Sequence, residues 1–165
     1  MSMFYLKSEM STSIYAPCDG EVVSDENLKV HFSAAEIGFS VLPCSTVLYA
    51  PINGVLSHIS NDLTTYIIKS TNGAKILLKI GDRRLLGDGL HTLANVGQRV
   101  THKDRICSFD PEVFEENQIQ PIVTVRLLNP DRFRAITIFE GECRTSFTEI
   151  MNFAIETQGY RLRKI

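Results

Sequence analysis

YAPCDGEV, Tyr15–Val22, and YAPINGVL, Tyr49–Leu56, are one turn written twice in this chain. Each copy sets a proline, Pro17 or Pro51, before a turn, and a glycine, Gly20 or Gly54, directly before the next β-rich run. Proline presets φ and glycine reaches backbone conformations closed to other residues, so both belong at such turns. A solenoid needs about three or more repeats. Two copies suit a closed β sandwich built from two similar halves.

The sequence around the repeat has the same character. The runs that read as strands are Ile14–Ala16, Glu21–Ser24, Lys29–Ser33, Phe39–Leu42, Thr46–Ala50, Val55–Ser60, Thr65–Ser70, Lys75–Ile80, Arg99–Val100, Arg105–Phe109 and Ile122–Leu128. Turn residues separate them: Cys18-Asp19-Gly20, Pro51-Ile52-Asn53-Gly54, Asn72-Gly73, Gly81-Asp82 and Gly87-Asp88-Gly89. Many short strands at regular spacing argue for an all-β antiparallel sandwich or barrel. Asp110 as N-cap and Pro111 at the first helical position predict a short helix over Pro111–Asn117. Phe147, Ile150, Met151, Ala154 and Ile155 at three-four spacing predict a C-terminal amphipathic helix over Ser146–Thr157. The alternating tail Tyr160–Lys164 reads as an edge strand. Residues 1–12 read as a mobile polar leader, unlike a signal peptide, and 13–165 as a single domain with no linker.

Composition narrows the function classes. The 165 residues are 44% hydrophobic and 22% charged, ordinary for a globular protein with a sizeable core. A formal net charge of −2 offers no general attraction to nucleic acid or anionic lipid. No apolar run reaches the roughly 18 residues needed to insert in a membrane. Cys18, Cys44, Cys107 and Cys143 are scattered and form no Cys-x-x-Cys pair, so neither a metal knuckle nor a redox motif is present. They suit a reducing cytoplasm and read as small core-filling residues, with a disulfide as the alternative.

The stretch NGAKILLKIGDRRLLGD, Asn72–Asp88, holds the residue that does not fit. Asn72-Gly73 signals a two-residue hairpin turn. Ile76, Leu77, Leu78 and Ile80 then form an apolar strand interrupted by one charge, Lys79. A lysine inside such a run costs free energy unless its ammonium reaches water or a partner. It is either a rim residue reaching outward or the centre of a site.

The ordered motifs make the two compatible, because the rim of a site is where a lysine can reach water. Residues from about Ser13 to Asn129 resemble the glucose-type enzyme IIA domain of the bacterial phosphoenolpyruvate-dependent sugar phosphotransferase system. The resemblance rests on the two YAP-x-x-G turns, Ile80-Gly81-Asp82, Gly87–Leu90, Gly97–Val100 with Asp104 and Ile106, Phe109-Asp110 and Gln120–Val123. It is weak over 130–165. It implies an antiparallel β sandwich of the duplicated hybrid motif type. One histidine there takes phosphate from the histidine phosphocarrier protein and passes it to a transporter's IIB cysteine, helped by a second histidine. It also implies docking on permeases and metabolic enzymes by the unphosphorylated form.

The departures fall on the polar site. Lys79 stands where the phosphorylated histidine is expected. Counting without gaps from Gly54, Thr64 stands for its helper, and a shift of two residues gives Asp62. The Gly-Asp-Gly loop of the family is reduced to Gly38, and the acidic position beyond the aromatic-Gly pair falls near Arg83. A phosphoryl relay needs a nucleophile substantially neutral near pH 7, which histidine is and an ordinary lysine is not. A threonine ester has too little transfer potential to pass phosphate on. Loss of both histidines also removes the zinc site that the family implies, so no cofactor or metal is expected.

The reading is therefore a phosphotransfer-incompetent enzyme IIA that acts as a regulatory, protein-binding module in the cytoplasm. Its expected docking face is Tyr66, Ile80 and Leu85 with Lys79, Arg83 and Arg84, favouring an acidic partner such as a phosphotransferase component, a permease or a metabolic enzyme; the alternative for the three apolar residues is a place in the core, since strand parity read from sequence shifts by one residue. The alternative is an active phosphocarrier working through a displaced histidine, His58. His31, His91 and His102 lie elsewhere. Lysostaphin-type zinc peptidases share the Gly-Gln-x-Val turn but need a His-x-His that is absent. Lipoyl and biotinyl carriers place their lysine in a tight hairpin rather than within a strand.

Overall fold

In the computed structural model the repeat makes the joint between two halves, and the described residues are 11–23 and 36–155. The strands are β1 (Ser11–Tyr15), β2 (Gly20–Val23), β3 (Ile37–Pro43), β4 (Val47–Tyr49), β5 (Gly54–Ile59), β6 (Thr65–Lys69), β7 (Lys75–Ile80), β8 (Leu90–Thr92) and β9 (Arg99–Val100). They continue as β10 (Arg105–Phe109), β11 (Val123–Leu127), β12 (Phe133–Ile138), β13 (Gly141–Cys143) and β14 (Glu149–Ile155). A single short α-helix among the described residues, α1 (Pro111–Glu116), is capped by Asp110, whose side chain accepts from the Glu112 N–H.

An eight-stranded sheet runs β13-β2-β3-β11-β7-β6-β5-β9, with three-stranded sheets β1-β14-β12 and β4-β10-β8. Every pairing is antiparallel. The fold is the all-β antiparallel sandwich expected. Its core includes Phe39, Val41, Leu56, Tyr66, Ile76, Leu78, Ile80, Phe114 and Phe153, all nearly or fully buried.

The two repeat copies bond to each other reciprocally. Tyr15 N–H donates to Pro51 O and Tyr49 N–H to Pro17 O, each at 2.8 Å. Each following alanine is buried and donates to a turn further along the chain: Ala16 N–H to Thr148 O at 2.8 Å, Ala50 N–H to Asp104 O at 3.0 Å. Asp19 and Asn53 hold equivalent places in the two copies and latch those same turns. Asp19 Oδ1 accepts from Thr145 N–H at 2.8 Å and Thr145 Oγ1 at 2.9 Å. Asn53 Oδ1 accepts from His102 N–H at 2.8 Å and meets His102 Nδ1 at 3.1 Å. The Tyr15 ring stacks on the His102 ring at 4.1 Å, tying one copy to the other's latch. Residues 144–148, where the family resemblance is weak, thus complete the first half of the joint.

Several expectations need correction. Glu149–Ile155 is a strand between β1 and β12, so the C-terminal amphipathic helix is absent there. The β1–β14 register shifts between Ile14 and Tyr15, and the adjacent Ile150 and Met151 are both buried while Phe147 is 82% exposed. Two neighbouring inward residues followed by Phe153 imitate a helical stripe, and pairing on both sides outweighs it. Ser11 and Thr12 belong to β1, not to the leader, because β14 supplies their backbone partners. The hairpin at Asn72-Gly73 has a three-residue loop: Ser70 N–H donates to Ala74 O and Gly73 N–H to Ser70 O, with positive φ at Gly73 but not Asn72. Strands β8, β12 and β13 are additions. Cys18, Cys107 and Cys143 are buried, Cys44 is exposed, and all four are free. The strand expected at Lys29–Ser33, the tail strand and most of the leader lie outside the described residues.

Two outcomes follow from the joint. A Cβ on Gly20 would come 2.1 Å from Leu42 O, and one on Gly54 2.3 Å from Lys69 O, whereas one on Gly97 meets nothing within 4 Å. Gly20→Ala and Gly54→Ala should each lose about 3 kcal/mol in urea unfolding. Gly97→Ala should lose only the cost of a left-handed alanine, about 1 kcal/mol; equal losses would contradict the packing argument. His102 is held below the ordinary imidazole range, first by burial and then by Lys103. Its neutral form is favoured on folding, so this stability is present above the unfolded pKa and lost as pH falls. The stability advantage of the native chain over His102→Gln should therefore shrink between about pH 8 and about pH 5.

Candidate functional site

The loop between β5 and β6 is built around one carboxylate. Asp62 Oδ1 accepts from Ser60 Oγ at 2.7 Å, Thr64 Oγ1 at 2.7 Å and Thr64 N–H at 3.1 Å. Ser60 N–H donates to Thr65 O at 2.9 Å, and Thr65 N–H returns to Ser60 Oγ at 3.0 Å. These bonds, Ser60's first and Thr64's next, hold the Asp62 carboxyl below the usual carboxylate range. Thr64 is buried, and its carbonyl accepts the Ile80 N–H at 2.9 Å, fixing the loop to the end of β7. Leu63 absorbs the bend in a left-handed conformation, φ +62°.

Strand β7 alternates strictly, with Ile76, Leu78 and Ile80 inward and Lys75 and Lys79 exposed. Lys79 is opposite Thr65 on one side and Thr124 on the other. Thr124 in turn faces Ser40, their hydroxyls 3.3 Å apart. A row of hydroxyls therefore flanks the lysine on this face of the sheet. Beyond it, Gly81 turns at φ +90° and Asp82 caps a 3₁₀ turn over Arg83–Leu85. The Asp82 carboxylate accepts from Arg84 N–H at 2.8 Å and pairs with Arg84 Nη2 at 3.0 Å. Arg84 is the chief cause that holds the Asp82 carboxyl below its ordinary range, with a smaller contribution from Lys79.

Ser60, Asp62, Thr64, Thr65, Lys79 and Arg83 line one depression of about 270 Å³. The structure thus brings Lys79 and Thr64 to one depression with Asp62 and Arg83. His58 does not line it. That side chain is exposed opposite Ile67, across β6 from β7. His91 lies on β8 and His102 at the joint.

The expected apolar docking residues are corrected. Tyr66 and Ile80 are fully buried and Leu85 is 3% exposed, so all three belong to the core. For Tyr66 and Ile80 strand alternation is the cause, since a residue one step from Lys79 or Thr65 faces the opposite side of the sheet, while Leu85 is the inward residue of the 3₁₀ turn. The exposed apolar residue at this end is Leu86, at 86% exposure and φ +51°, directly after the 3₁₀ turn. A Cβ on its neighbour Gly87 would lie 3.9 Å from Asp62 O, so the two loops are adjacent. Nothing in Leu85-Leu86 distinguishes the inward leucine from the outward one by sequence. The following Gly87-Asp88-Gly89 marks only the turn. Among the described residues no group of three His, Cys, Asp or Glu is arranged to hold a metal ion. No helix among them is long and apolar enough to cross a membrane.

Comparisons with known proteins agree with this architecture. The family model for the phosphoenolpyruvate-dependent sugar phosphotransferase system, EIIA 1, matches residues 12–133. A glucose-specific EIIA component of Bacillus cereus is 26% identical over 150 residues, covering 87% of this chain and 91% of that protein. A lactose permease of Lactobacillus helveticus is 29% identical over 129 residues, covering 74% of this chain but only 20% of the permease. Among solved structures, the glucose permease IIA of Mycoplasma capricolum superposes with a TM-score of 0.74 at 22% identity. That match covers 86% of this chain and 95% of the other. The family match spans both copies of the repeat and every residue of the depression, and the chain belongs to the EIIA 1 family of the phosphoenolpyruvate-dependent sugar phosphotransferase system.

Proposed function

We propose that this phosphotransferase-system protein does not relay phosphate through its family site and acts as a regulatory, protein-binding module. The observation that carries the reading is the content of the depression. Lys79 and Thr64, which by the ungapped motif count stand for the two family histidines, both line it, and no histidine does. Lys79 is exposed among hydroxyls, without the apolar enclosure that activates a lysine nucleophile. The Thr64 hydroxyl donates to Asp62, which fixes it inside the loop rather than beside a reacting phosphorus.

The docking face is Lys79, Arg83 and Arg84 with Leu86. Its charge favours an acidic surface, and its exposed leucine offers apolar contact. A fixed positive charge at Lys79 is opposite in sign to a phosphohistidine, so this protein would resemble a permanently unphosphorylated regulator. Its partners would be phosphotransferase components, a permease or a metabolic enzyme in the cytoplasm. A protein named lactose permease carries a matching region within a longer chain, which supports a permease among them.

Incubation with phosphoenolpyruvate, enzyme I and the histidine phosphocarrier protein tests the reading. The expected result is no stoichiometric acid-labile phosphate on this chain. A stoichiometric label that disappears in His58→Ala would establish a displaced phosphocarrier histidine and end the proposal.

A further inference from the structure

We infer that the hollow beside the Asn53–His102 latch is a binding site for a neutral polyhydroxylated small molecule, a sugar or sugar alcohol. Thr12, Ser13, Tyr15, Ser70, Thr71 and His102 are among the residues that line it. Ser70 and Thr71 stand in the β6–β7 loop, at the opposite end of those strands from Thr65 and Lys79, so the site is separate from the docking face. Its volume is about 320 Å³, within the roughly 300–1,000 Å³ of small-molecule sites. No Lys, Arg, Asp or Glu among the described residues lines it. The fold does not impose that neutrality, because the hollow beside the other latch, at Asp19, is lined by Glu21, Glu142 and Arg144.

Bond directions give this hollow both donors and acceptors. The Asn53 amide oxygen accepts from the His102 N–H, so Nδ1, which meets the same oxygen, must carry the ring proton. The Nε2 lone pair of the neutral ring is then an acceptor with no partner among the described residues. Asn72 Oδ1 accepts from the Ala74 N–H at 3.1 Å, so its Nδ2 donates to Thr12 Oγ1 and the Thr12 proton stays available. Ser13 gives its proton to Glu149 Oε1 at 2.9 Å and keeps only lone pairs. The hydroxyls of Tyr15, Ser70 and Thr71 have no bond to another described residue and can turn either way.

These groups select the ligand. An ion would lose its hydration here without meeting an opposite charge, and an apolar molecule would strip water from hydroxyls it cannot bond. A carbonyl oxygen only accepts and an amide nitrogen only donates. A ligand hydroxyl does both, so one polyol can donate to His102 Nε2 and Ser13 while accepting from Thr12. Ile52 and the Tyr15 ring, fixed by its stack on His102, supply apolar surface for the C–H groups of the same molecule.

The test is a titration of the whole, isotope-labelled chain with glucose, xylose, mannitol and glycerol, followed by amide chemical shifts. Shifts at Asn53, Thr71 and His102 should saturate with at least one of them. Ser70→Ala and Thr71→Val should each weaken that binding about fivefold, the scale of one neutral hydrogen bond. Thr71 is exposed and bonded to no described side chain, so its valine variant keeps the fold. Ser108→Ala, on β10 and outside the hollow, should leave binding unchanged. Shifts that never saturate with any of these probes, an equal response to the fully O-methylated form of the binder, or equal weakening by Ser108→Ala would overturn the inference. Tighter binding of a ring sugar than of mannitol assigns the site to cyclic sugars, and the reverse order to open-chain polyols; both uphold it. Because the reporting amides lie away from Lys79 and Arg83, failure here would leave the docking reading standing, and a covalent acid-labile label would end that reading alone.

Discussion

The two reciprocal hydrogen bonds between Tyr15 and Pro51 and between Tyr49 and Pro17 couple the halves of this molecule. A proline has no N–H, so its carbonyl is the backbone group available for bonding, and each copy spends it on the other copy. Neither turn can move away without stripping a backbone donor from its counterpart. The same exchange places Asp19 and Asn53 over equivalent turns, one near Thr145 and one near His102. Residues 144–154 therefore complete the surroundings of the first turn. Strand β14 brings the Thr145–Thr148 turn back to Ala16 while pairing with β1.

From this joint the position of the site follows. Gly54 leaves the second turn and starts β5 with almost no space between it and Lys69 O. That close approach sets the β5–β6 hairpin, whose far loop carries Ser60, Asp62 and Thr64. Strand β7 then lies beside β6 and delivers Lys79 opposite Thr65. The polarity of the site is local, but its placement is not. It depends on a backbone contact at the opposite end of the hairpin.

Much of the architecture could be read from the residues, because turn chemistry is local. Lys75–Ile80, Arg99–Val100 and Arg105–Phe109 are strands with the expected bounds, since alternation and flanking turn residues define them without help. Lys79 and Thr64 could be brought to one site because the family motifs fix their spacing. What failed depends on distant partners. Ile150, Met151 and Phe153 hold helical and strand patterns at once, and only β1 and β12 decide between them. Tyr66 and Ile80 face the core because a one-residue error in strand parity exchanges core for surface, and Leu85 turns inward from a 3₁₀ turn that has no such parity to read. The role of Asp62 as the centre of its loop needed the hydroxyl directions, which spacing does not contain.

Leu86 has a consequence for the kinetics of recognition. A leucine in the left-handed region is costly, and here it is held almost wholly in water directly after the turn that carries Arg83 and Arg84. Charges act on an approaching molecule over about a Debye length, roughly 8 Å at physiological salt, whereas an apolar side chain acts only on contact. For any acidic partner that meets this face, ionic strength would govern the rate of encounter through Lys79 and Arg83. The lifetime of the complex would depend on how well Leu86 is covered, and would be far less sensitive to salt.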